Sequence, residues 1–264
     1  MREQADVSIQ EAADMLGSDR TMISNVEAGR TGVSAARVRK LACLYRCPDT
    51  SLVEALAVMA SGRKTQYWWD DFRGKLPDGF VDISELEHFA TRIRTAQTVH
   101  LPGLFQTEEH ARALFDLVVP PLPRLEVELR VAHRLGRQRV IEGESPVPYV
   151  GIIHEAALRM QFGGRDVARR QLRHLAASAD RENVTLFVIP FSAGSFPGAG
   201  QSILYAEGPV PRLDTVQLDT AYSAEFAEAP TPLTNYRSLL AIMERAALPA
   251  AESQELIHTI ARDL

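Results

Sequence analysis

The chain has 264 residues, 45% of them apolar, and a formal net charge of −5. That length suits one large or two ordinary domains, and that apolar fraction is enough for packed cores, so a globular protein is expected. The acidic balance excludes a uniformly basic nucleic-acid binder, and any DNA contact has to come from a local surface.

The charge is unevenly spread: residues 1–64 carry nine Lys/Arg and eight Asp/Glu, against twenty and twenty-six in the remainder. Cys43 and Cys47, the two cysteines, lie four apart on a predicted helix, a poor framework for a disulfide. A reduced, cytoplasmic setting is the expectation. The start, MREQADVS, lacks the apolar core of a signal peptide, and no apolar run reaches the roughly 18 residues of a membrane helix, so no membrane association is expected.

In chain order, Ser8 and Glu11 have the spacing of a capping box. Ile9, Ala12, Ala13 and Leu16 follow as one apolar helical stripe, and Gly17 ends it as a left-handed residue would. Ser18 is expected to cap a second helix from about Asp19 to Glu27, with Ile23 and Val26 inward and Gly29 closing it. Val38, Leu41, Ala42 and Tyr45 form a third stripe after Ser34, and Leu52, Ala55, Leu56 and Met59 a fourth after Asp49. The first 62 residues therefore read as an all-α bundle.

The stretches VSIQEAADMLG and SDRTMISNVEAGR resemble the Xre family, the phage-repressor type of helix-turn-helix regulator, down to Ile23, Ser24, Glu27 and the Gly29-Arg30 ending. The resemblance implies that the second helix enters the major groove. Arg20, Thr21 and Asn25 would then face bases, because Arg forks onto guanine and Asn pairs with adenine. Ser24 and Arg30 would meet phosphates, which orient without reading sequence. Two departures stand out. Ile9 occupies a position where relatives often carry Gln, and only MREQAD stands where the family usually has a full helix. Either the natural chain continues upstream, or another packing, such as a dimer, covers Ile9 and Leu16.

A connector around Ser61 and Gly62 is expected to lead into a second domain, 63–264. Ser84 and Glu87 repeat the capping-box spacing. Thr107 caps a helix with Ala111, Leu114, Phe115 and Val118 on one face, and VVPPLPR breaks it. A long polar helix follows from about Leu125 to Ile141. Beyond Pro146, VPYVGII, NVTLFVIPF, SILYAE and DTVQLD read as strands, with a helix near Asp166–Ala179 between the first two. The end returns to helix, with Leu239, Ile242, Met243 and Ala246 on one face. The fold class is α+β: an N-terminal helix-turn-helix bundle, then a larger α+β domain with a mostly antiparallel sheet.

Trp68-Trp69, PGLFQTE, VAHRLGRQRVI, NVTLFVIPFSAG and the paired-helix tail resemble the C-terminal domain of unknown function carried by a large actinobacterial group of Xre-type regulators. That resemblance implies an antitoxin-like transcriptional regulator, often encoded beside a very small protein that binds the C-terminal domain.

No catalytic constellation emerges. HEAAL lacks the second histidine of a zinc-protease helix, GSFPGAGQS fits no phosphate-loop pattern, and Ser192, Ser195 and Ser202 miss the nucleophile elbow. Cys43 and Cys47 lack further ligands for zinc and read as small core residues. Neither a metal nor a cofactor is expected. Arg130, Arg134 and Arg137 form a basic stripe that reads as a solvated face paired with Glu126, or as a surface for DNA backbone or an acidic partner. Trp68 and Trp69, with Tyr67 and Phe72, read as core aromatics, or as a ligand pocket or partner groove.

The expectation is a sequence-specific, DNA-binding regulator without enzyme activity. It would be a homodimer on double-stranded DNA whose C-terminal domain senses a small protein partner or a small-molecule effector. The alternatives are an antitoxin-like interaction module with weakened DNA binding, and an enzyme or ligand-binding protein derived from a regulator scaffold.

Overall fold

The computed structural model describes residues 1–62, 67–220 and 224–264. The chain divides into two compact units, Met1–Tyr67 and Trp68–Leu264.

In the first unit a 3-10 turn, Glu3–Ala5, precedes helix α1, Ile9–Leu16. The Ser8 side chain accepts from Glu11 N while the Glu11 carboxylate accepts from Ser8 N, at 3.1 and 2.7 Å. Gly17 closes α1 at φ 62°, a conformation that costs glycine little because it has no Cβ. Helix α2 spans Arg20–Glu27, and its cap is Asp19, which accepts from Met22 N at 2.7 Å. The expected Ser18 cap is thus displaced by one residue. Ser18 N instead donates to Ala13 O, finishing the end of α1.

Helix α3, Ala35–Leu44, is capped by Ser34, and α4, Thr50–Gly62, starts where the Asp49 carboxylate accepts from Leu52 N. The connector expected around Ser61 and Gly62 is therefore the last turn of α4, and residues 63–66 lie outside the described residues. Ala12, Ala13, Ile23, Leu41 and Tyr45 make the core of this unit. Met1, Ala5 and Val7 pack around it together with Ile9 and Leu16, so the segment before α1 contributes cover that a longer helix was expected to give. Cys43, read as a core residue, is exposed, and Cys47 is half-buried.

The second unit opens with a 3-10 segment, Trp68–Phe72, and helix α5, Asp78–Phe89. Ser84 and Glu87 lie inside α5 and cap nothing. Strand β1, Arg92–Gln97, helix α6, Glu108–Phe115, α7, Arg124–Arg137, and the short α8, Arg139–Glu142, follow. Val118, expected on the face of α6, lies beyond its end.

Strand β2, Tyr149–His154, leads to the short α9, Glu155–Arg159, and then to α10, Arg165–Ser178. Strands β3, Val184–Ile189, β4, Ile203–Glu207, β5, Thr215–Asp219, and β6, Ala224–Ala227, precede α11, Pro230–Ala246, and α12, Ala250–Asp263. GSFPGAGQS lies in the connection between β3 and β4.

The strands form one sheet in the order β3-β2-β1-β4-β5-β6. The β3-β2 and β2-β1 pairs are parallel and the remaining three antiparallel, which gives the expected mostly antiparallel α+β unit. The strand beside the parallel-antiparallel switch, β1, has no apolar alternation to announce it. RIRTAQ buries Ile93 and Ala96 and gives its polar residues partners: Thr95 Oγ1 meets Tyr149 Oη at 2.6 Å and Arg94 donates to Glu244 at 3.0 Å.

One face of the sheet, with Ile93, Tyr149, Ile153, Leu186 and Val188, packs with Leu172 and Leu175 of α10 and Ile257 and Ile260 of α12. The other face, with Ala96, Ile152, Ile203, Tyr205 and Val216, packs with Leu233, Leu240 and Met243 of α11. The inward stripe of α11 is thus turned from the expected one, and Ile242 is exposed. No helix among the described residues is long and apolar enough to cross a membrane.

Helix α7 meets the opening 3-10 segment at Gly136, where an added Cβ would stand 2.6 Å from Cζ3 of Trp68. Gly136→Val should destabilise the second unit by about 1–3 kcal/mol, because the indole has to move out of a packed position. Urea unfolding followed by near-ultraviolet circular dichroism would show both the lost stability and the altered tryptophan environment.

Candidate functional site

The first candidate surface belongs to α2. At 100° per residue one arc of this helix carries Arg20, Thr21, Ser24 and Asn25, and the other Met22, Ile23 and Val26. Ile23 is 1% exposed, which fixes the rotation of α2 and turns the polar arc outward. Arg20, Thr21, Ser24 and Arg30 are exposed and Asn25 is half-buried. The Asn25 carbonyl accepts from Arg30 N at 2.8 Å and Thr31 N at 3.2 Å, shaping the turn that follows the helix.

Glu27, at the end of the same helix, is absorbed by structure. Arg2 holds it through Nε and Nη2 at 2.7 and 3.0 Å and also donates to Val7 O at 2.9 Å. The sequence signalled nothing about Arg2, since the pair spans 25 residues.

The basic stripe on α7 keeps one part of the solvated-face reading, the Arg130–Glu126 pair, but carries Arg137 into the interior, which neither reading supposed. Arg137 is 7% exposed and Glu87 on α5 is 0% exposed, and they form a two-pronged ion pair at 2.5 and 2.8 Å. Burial works against the Arg137 charge, but the field and hydrogen bonds of Glu87 outweigh it and raise its pKa. Arg130 pairs with Glu126 at 2.6 Å, as the solvated-face reading supposed, and sits 5.0 Å over the Phe80 ring. Arg134 is half-buried, 4.8 Å over the Phe115 ring, and donates to Gln106 Oε1 at 2.6 Å. Its pKa falls to about 10, first through burial and then through the Arg137 charge.

Gln106 explains what PGLFQTE does. The residue is 1% exposed; its amide donates to Leu101 O at 2.7 Å and its backbone carbonyl accepts from Gln138 at 2.8 Å. Gln171 of α10 clamps the same segment, donating to Phe105 O at 2.6 Å and accepting from Thr107 N at 2.7 Å. The Arg134 and Arg137 side chains pack beside Gly103, 3.5 Å from where a Cβ would stand, an ordinary contact distance. Thr107 then caps α6, accepting from His110 N.

Trp69 is 1% exposed and Trp68 half-buried. Trp68, Phe72 and Phe80 surround the His133 ring at centroid distances of 5.4, 5.1 and 5.4 Å, and Arg139 lies 4.9 Å over the Trp68 ring. His133 Nε2 and Ser84 Oγ are 2.8 Å apart. Burial, then the Arg137 and Arg134 charges, push the pKa of His133 down to about 3. His110, 1% exposed, is pushed down to about 4 by burial, Arg134 and His100. Both imidazoles are therefore neutral. Ser84 and Glu87 have the spacing of a cap and Gln106 lies in PGLFQTE, but neither pattern indicates a partner on α7; only the tertiary structure joins them to that helix.

Among the described residues no group of three or more His, Cys, Asp or Glu side chains is arranged to hold a metal ion. What stands out is a capped helix-turn-helix with an outward polar arc, followed by an α+β unit with a charged interior. The fold is that of a DNA-binding regulator of the Xre-type helix-turn-helix class with an added C-terminal domain. A helix-turn-helix family model matches residues 1–52, and the model of a domain of unknown function (DUF5753) matches residues 80–259. The chain belongs to the DUF5753 family. No curated protein and no solved structure matches it.

Glu87→Gln should destabilise the chain by about 3–5 kcal/mol in denaturant unfolding, because it strands the Arg137 charge inside. The double variant Glu87→Gln/Arg137→Met should recover most of that loss.

The neutral histidines set a pH dependence. Their folded pKa values lie below the unfolded value of 6.5, so below about pH 6.5 the unfolded chain binds protons that the folded chain refuses. Stability should fall as the pH drops from about 6.5 toward 4, with each histidine contributing up to about 1.4 kcal/mol per pH unit. His133→Gln should reduce that slope by about one proton, read from urea midpoints between pH 4.5 and 6.5.

Proposed function

We propose that the protein is a sequence-specific transcriptional regulator that reads double-stranded DNA through α2 and receives a signal through its second unit. The observation that carries this reading is the polar arc of exposed Arg20, Thr21 and Ser24 and half-buried Asn25, held outward by buried Ile23. Arg20 supplies a guanidinium fork at the first residue of the helix, the end that approaches base edges in this class of motif. Thr21 and Asn25 add hydroxyl and carboxamide groups able to discriminate bases, while Ser24 and Arg30 reach phosphates.

The net charge of −5 gives little nonspecific attraction to DNA, so affinity has to rest on this local surface. Two copies would place two such helices about one DNA turn apart, which calls for a roughly palindromic operator. In this reading the second unit performs no catalysis. It transmits the presence of a small molecule, or of a small partner protein in an antitoxin-like arrangement, to the spacing or stability of the paired DNA-binding units.

Fluorescence anisotropy with DNA fragments from the protein's own locus tests the reading. Wild type should select one fragment over the rest, and Arg20→Ala and Asn25→Ala should each weaken that complex by about 1–3 kcal/mol, roughly five- to 150-fold. Arg30→Ala should weaken all fragments alike and reduce the salt dependence. Equal, weak binding by wild type and all three variants would remove base reading from α2.

A further inference from the structure

We propose that Arg134, Gln106 and His110 form the floor of a binding site for a small oxyanion, the carboxylate or phosphate group of a metabolite-sized ligand. The three arginines of α7 show why. Arg130 holds the Glu126 carboxylate and Arg137 holds that of Glu87, yet Arg134, half-buried between them, has no carboxylate within 4.0 Å among the described residues. Its hydrogen bond goes to the neutral carboxamide of Gln106 at 2.6 Å. A partly desolvated guanidinium with a neutral partner retains donors suited to a bidentate oxyanion.

Two further residues hold polar atoms without partners: His110, within electrostatic reach of Arg134, and Gln217, which binds Asp219, itself within that reach. His110 is 1% exposed, and neither Nδ1 nor Nε2 has a hydrogen-bond partner. Gln217 is 6% exposed and its Oε1 is likewise unsatisfied, although its Nε2 donates to Asp219 at 2.8 Å. Buried polar atoms without partners are rare and costly, because they give up hydration without a replacement bond. A ligand that meets them explains why the fold retains them.

His100 and Asp219 are exposed, and Asp219 and His110 both lie within electrostatic reach of Arg134. The Phe162 ring stands 5.1 Å from His100 and 5.7 Å from His110, giving the ligand an apolar contact. Asp219 is the carboxylate that opposes an incoming anion, but its exposure lets water and salt screen it more than they screen Arg134. A ligand that also bears an N–H donor would satisfy Gln217 Oε1. The floor is rigid, since Gln106 is held at Leu101, Arg134 and Gln138, and binding therefore costs little reorganisation.

The test uses the full chain without DNA, so its outcome is independent of the DNA-reading proposal; only the regulatory meaning of the ligand rests on that reading. Inorganic phosphate and succinate are titrated separately, by calorimetry and by NMR of histidine-labelled protein. At least one should bind saturably, one per chain, and shift the His110 imidazole signals while leaving exposed His258 unmoved. Phosphate alone identifies a phosphoryl ligand and succinate alone a carboxylate ligand. Arg134→Gln should weaken binding at least tenfold, Arg134→Lys less, and Arg169→Gln not at all. Should Arg134→Gln fail to fold, the wild-type His110 response and the Lys variant still decide. No saturable response from either probe, equal shifts at His110 and His258, or unchanged affinity in a folded Arg134 variant overturns the proposal.

Discussion

Two charges cannot enter a protein interior separately, and the second unit is arranged around that constraint. Glu87 on α5 and Arg137 on α7 meet through paired hydrogen bonds in a setting that leaves almost no access to water. A carboxylate or guanidinium alone there would forfeit its hydration without return. The pair therefore specifies more than it stabilises: it dictates which faces of α5 and α7 look at each other. The PGLFQTE segment closes around the same place, with Gln106 bound to Arg134 and to Gln138.

Once a cation is fixed inside, its neighbours inherit its field. His133 and His110 are held neutral by burial and by the α7 arginines together, so the interior contains imidazoles that neither carry charge nor find full hydrogen bonding. A purely apolar interior would have been simpler to pack. The polar one supplies directionality in a unit whose sheet faces are otherwise filled by aliphatic residues from α10, α11 and α12. It also concentrates the chemistry of the second unit where α6, α7 and the PGLFQTE segment converge.

The first unit follows a more local logic. Ser8, Asp19, Ser34 and Asp49 each satisfy a donor near the start of their own helix, and Gly17 turns the chain between α1 and α2. Such interactions join residues a few positions apart. Short-range spacing therefore identified the helices, and an alternation of buried and exposed positions gave the outward arc of α2. Even here no local spacing encodes the Arg2–Glu27 pair or the cover that Met1, Ala5 and Val7 give the core, because both depend on how the chain returns on itself.

Amphipathic spacing, capping residues and turn glycines by themselves determined the bundle, strands β2 to β5 and the α+β class, because each is a contest settled within one turn or one strand; the short AEFA of β6 gave no such signal. They could not determine β1, whose RIRTAQ looks polar until Tyr149 and Glu244 supply partners from 54 and 150 residues away. Nor could they determine that Ser84 and Glu87 bind across to α7 instead of capping α5, or that the α7 arginines face inward. Those outcomes belong to tertiary structure, since the burial of a charge is decided by whether a distant opposite charge arrives beside it, and no local pattern encodes that arrival.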